Sequence, residues 1–98
     1  MTDHLNRLIQ TVDEAIRQCE PGEQGILRAA LTVEAVAKAM EGDLPACARR
    51  LVRALSVDIE TIAFMVSDGE ALAAVAAAHG RFRDSLALCL GHVEHSGG

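Results

Sequence analysis

The chain has 98 residues, half of them apolar and 23% charged, with a formal net charge of −5. This length allows one domain, and the apolar fraction excludes collagen-like, fibrous and disordered classes. An acidic balance also argues against nucleic-acid binding, which needs a basic face to neutralise phosphates.

Seventeen alanines and eleven leucines, beside two phenylalanines and no tyrosine or tryptophan, point to helix. The first predicted helix covers residues 3–19. Leu5, Leu8, Ile9, Val12, Ile16 and Cys19 recur at helical spacing, and Thr2 or Asp3 caps the start. Glu20, Pro21 and Gly22 stop it, because proline disfavours helix at the preceding residue and glycine permits the turn. The second helix covers 23–41, with Ile26, Ala30, Val33, Ala37 and Met40 as its apolar stripe. Gly42 ends it, Asp43 restarts the chain, and Pro45 falls in the first turn of the third helix. That helix extends over 44–66, with Ala48, Leu51, Val52, Leu55, Ile59 and Ile62 on one face. Ser67-Asp68-Gly69-Glu70 then reads as a capping box.

Residues 71–78 follow, apolar on every side, and a helix of this kind needs neighbours on more than one face. Gly80 either interrupts this segment or is tolerated inside a long helix that carries Phe82, Leu86, Cys89, Leu90 and Val93 on one face. The expected fold is therefore all-α, a four- to five-helix antiparallel bundle or stacked helical hairpins. One domain over residues 1–95 and a frayed tail over 96–98 complete the expectation.

Gly42 leading to Leu44 and Cys47, and Gly80 leading to Phe82 and Ser85, share a pattern at an offset of 38 residues. Each has a glycine, a bulky apolar residue two positions on and a small residue five positions on. This resembles the inter-helix turn of tetratricopeptide-like hairpins, whose usual repeat is about 34 residues. The large aromatic and the Leu-Gly pair typical of that family are absent from the first helix of either hairpin. The resemblance implies a protein that binds other protein segments.

Three cysteines, Cys19, Cys47 and Cys89, are odd in number, widely spaced and without a CxxC. The expectation is small thiols in a reducing compartment rather than a disulfide framework. The chain opens on helical periodicity rather than a basic region and apolar run, so no signal peptide is expected. The longest apolar run, 71–78, is far shorter than the ~20 residues that span a bilayer. A cytoplasmic location with no membrane contact is the expectation.

No catalytic arrangement is legible. Ser56, Ser67 and Ser85 lack a local His and acid, the carboxylates fall at helix-surface positions, and no phosphate loop follows a strand. We expect no enzyme and no cofactor. His79, on an apolar face, reads as a core or turn-capping residue. The one metal-like cluster is Cys89, His92 and His95, spaced by three on the last helix, with His4 or His79 available to complete a shell. It defines an alternative reading as a metal-responsive regulator.

The candidate interaction surface lies on the third helix. At 100° per residue Arg50, Arg53, Val57, Thr61 and Phe64 line up opposite the core stripe. Arginine beside aromatic and aliphatic groups is the chemistry of interface hot spots. The expected role is a small protein–protein interaction module (an adaptor, chaperone or regulatory partner) that binds another protein or peptide and self-associates as a dimer.

Overall fold

A computed structural model describes the backbone of residues 2–40 and 42–97, and the side chains of 5–40, 42–67 and 69–89. The described residues form four helices: α1 (Thr2–Arg17), α2 (Glu23–Ala39), α3 (Ala46–Met65) and α4 (Asp68–Gly97). There is no strand among the described residues. Short connections force each helix back against the one before it, giving an all-α bundle in which α3 lies between α2 and α4.

Local chemistry sets the boundaries. Gly22 caps α2 with φ 102°, in a conformation that L side chains rarely adopt. Three residues later, Gly25 lets the chain fold back tightly. A Cβ at this position would meet the Glu20 carbonyl oxygen. Helix α2 closes at Met40, and α3 begins at Ala46 with Pro45 as its extended N-cap residue. The Ser67 carbonyl accepts the Glu70 and Ala71 amides at 3.0 Å, which starts α4.

Helix α4 is a single helix, and Gly80 does not break it. Only Gly42 of the two patterned glycines therefore marks a turn. Thirty residues at 1.5 Å give about 45 Å, matching the 46 Å long axis of the molecule. No helix among the described residues is long and apolar enough to cross a membrane.

The core runs down the three-helix unit. Ile26, Val33 and Ala37 from α2 meet Ala48, Val52, Leu55 and Ile59 from α3, with Val75, Phe82 and Leu86 from α4. Helix α1 adds two fully buried side chains, Leu8 and Val12. Within 71–78, Ala71, Val75 and Ala78 are buried while Leu72, Ala73, Ala76 and Ala77 are exposed. The bundle thus covers one face of this all-apolar stretch and leaves the other to solvent.

Candidate functional site

The outer face of α3 is laid out as the periodicity predicts. Successive turns send Val52, Leu55 and Ile59 into the core, so Arg50, Arg53, Val57, Thr61 and Phe64 face solvent. Phe64 is 60% exposed and Met65 beside it 78%, whereas the chain's other phenylalanine, Phe82, is 4% exposed. Ala46, Arg49, Arg50 and Arg53 line a shallow hollow of about 230 Å³ at the N-terminal end of the same helix. The face is therefore basic at one end and apolar at the other. Ser56, at the edge of the core, donates its hydroxyl to the Arg53 carbonyl at 2.8 Å, so burying it leaves no unmet polar group.

The cysteines correct an expectation. Cys47 and Cys89 form a disulfide, with Cα atoms 6.1 Å apart, and Cys19 alone keeps a free thiol. The pairing is a consequence of topology. In an antiparallel α3–α4 hairpin, a residue near the start of α3 lies level with one late in α4, however far apart they are in sequence. The Cys89 sulfur is consequently not an available thiolate for the predicted metal cluster. The side chains of its other members, His92 and His95, and that of His4, lie outside the described residues. Among the described residues no group of three His, Cys, Asp or Glu side chains is placed to hold a metal ion.

A second polar feature joins α1 to α4. Asp13 receives both oxygens' worth of bonding from Arg83, at 2.9 and 2.7 Å, and its Oδ1 also lies 2.7 Å from His79 Nε2. The His79 ring stacks on Phe82 at a centroid distance of 6.5 Å. Burial pushes the Asp13 carboxyl up, but the hydrogen bonds and charges of Arg83 and His79 outweigh it, and its pKa is lowered. His79 is thus an inter-helix clasp residue rather than a turn cap. The signal was present in the sequence: His79 and Arg83 stand four apart on α4, one turn of spacing that lets both reach a single carboxylate.

Residues of α1, of α2 and of the connection between them line a groove of about 780 Å³, among them Thr11, Glu14, Cys19, Arg28 and Thr32. Burial, and then the neighbouring Glu20 charge, raise the Cys19 pKa. Its thiol accordingly stays protonated and weakly nucleophilic.

Comparison with known proteins adds no relative: no family model, curated protein or solved structure matches this chain.

Proposed function

We propose that the chain is a protein–protein interaction module whose binding surface is the outer face of α3. The observation that carries this reading is the contrast between its two phenylalanines. Phe82 fills the core, while Phe64 stands in solvent on a face shared with Val57, Arg50 and Arg53. Leaving an aromatic ring exposed forgoes roughly 2 kcal/mol of burial, which a partner would recover. Arginine next to such a ring supplies orientation through planar donors and stacking. The Cys47–Cys89 disulfide removes the ground for the cytoplasmic expectation and favours an oxidising compartment.

The test is affinity capture from the cells that express the protein, with tagged wild type beside Phe64→Glu. A surface change leaves the fold intact, and loss of a hot-spot ring should weaken a specific partner about 30-fold or more. Equal recovery of every specific partner by both proteins would contradict the reading.

A further inference from the structure

The order of residues along the α3 face says more than that it is sticky. Arg50, Val57 and Phe64 stand at intervals of seven and form its centre line, drifting by about 20° per interval. Arg53 and Glu60, also seven apart, form one flank, and Ala54 and Thr61 the other. All seven side chains are exposed. Around Val57 the pattern is complementary to its own reversal. A cation lies seven residues before Val57 and an aromatic ring seven after. On the flank a second cation lies four before and a carboxylate three after.

We propose that the partner this face fits is a second copy of the chain, with two α3 helices packed antiparallel about a two-fold axis through Val57. The proposal rests on the reading of α3 as an interaction surface and names its occupant. In an antiparallel pair, equal flanks meet, and positions on the same flank face one another when their distances from the axis match to within one residue, about 1.5 Å of rise. Val57 then packs on Val57 of the other copy, and Arg50 of each copy lies over Phe64 of the other, twice, as a cation–π contact. Arg53 of each copy faces Glu60 of the other, and on the opposite flank Ala54 faces Thr61, small enough for the helices to approach closely. A two-fold interface requires this property, that if one residue contacts another the reverse contact also exists.

Charge complementarity separates this occupant from the others. An acidic partner satisfies the arginines but sets its own charge against Glu60, and like charges brought together across an interface are strongly disfavoured. A basic partner meets Arg50 and Arg53. Only a surface that carries both signs in reversed order satisfies all three groups, and this chain has one. Within a single helix Arg53 and Glu60 are two turns, about 10 Å, apart and do not pair. Arg53 also interacts inside its own chain, and a guanidinium has five N–H donors, enough for more than one contact.

Sedimentation velocity over a hundredfold concentration range tests this with four samples: wild type, Arg53→Glu, Glu60→Arg, and the two variants mixed in equal amounts. Circular dichroism of each checks that it remains folded. Wild type should shift with concentration toward twice the 10.4 kDa of one chain. Each variant alone, with like charges now opposed, should associate at least tenfold more weakly. The mixture should recover wild-type association, because the new carboxylate at 53 in one copy faces the new guanidinium at 60 in the other, while the unchanged Glu60 and Arg53 face each other. A wild type that stays a single chain at every concentration overturns the proposal. So does a dimer indifferent to both substitutions, or a mixture that does not recover. If a different protein is captured and lost with Phe64→Glu while wild type stays monomeric, the second-copy assignment fails and the interaction surface stands. If capture too is unaffected, both fail.

Discussion

Helices α1 and α3 are attached to the rest of the molecule in different ways. Helix α3 is packed between two neighbours, sends Ala48, Val52, Leu55 and Ile59 into a continuous apolar core, and is bonded covalently to α4 through Cys47 and Cys89. Helix α1 buries Leu8 and Val12 completely, only half-buries Leu5, Ile9, Ala15 and Ile16 against the same core, and adds a polar clasp, Asp13 with His79 and Arg83, beside an open groove. Apolar burial is non-directional and accumulates with area, whereas a half-exposed ion pair contributes modestly and depends on protonation. The contrast makes α3 a rigid platform, suited to presenting a preorganised face, and α1 the first element to open.

Four variants separate these two kinds of attachment, in descending order of effect. Replacing both Cys47 and Cys89 by serine removes a cross-link across 42 residues. Urea unfolding of this variant should show a loss of about 2–4 kcal/mol, spread over the whole bundle. Gly25→Ala drives a methyl group into the Glu20 carbonyl oxygen. It should destabilise by about 2 kcal/mol, with the faster hydrogen exchange confined to α1 and the loop that follows it.

Asp13→Asn replaces charged hydrogen bonds with neutral ones and should lower stability by about 1–2 kcal/mol at neutral pH. The folded pKa of Asp13 lies below its unfolded value, so the clasp contributes fully above about pH 4 and is lost as pH falls through the lower folded value. Exchange in wild-type α1 should therefore accelerate in strong acid before α3 opens, and the Asn variant should lack that step. Gly80→Ala meets nothing within 4 Å on an exposed turn of α4. It should raise stability by about 0.5–1 kcal/mol, because the glycine interrupts no packing.

The helices were legible because their periodicity is strong and their stops carry distinct chemistry. Expected ends lay within two residues of those observed for α1, α2 and α3, and the direction of Phe64 followed from its angle to the core stripe. What escaped were relations between helices. Cys47 and Cys89 share no local motif, and only the α3–α4 register brings them together. Asp13, like the other carboxylates, reads as a helix-surface residue, since nothing within α1 reveals that α4 supplies a histidine and an arginine at its level. Gly80 left two courses open, and propensity alone did not choose between them. Its intact helix reflects packing on both sides: Val75 and Ala78 before it and Phe82 and Leu86 after it are all buried. The all-apolar segment 71–78 showed that a face without polar groups is not thereby a covered face.

The most direct test of the account is a single cysteine on the proposed two-fold axis. With Cys19 changed to serine to remove the free thiol, Val57→Cys should cross-link two chains through a disulfide under mild oxidation. The control, Thr61→Cys, displaced one turn from the axis, should do so far more slowly. Rapid cross-linking at 57 alone is the predicted result. Equal rates at the two positions, or no cross-linked dimer at either, would contradict an antiparallel pairing of α3 across Val57.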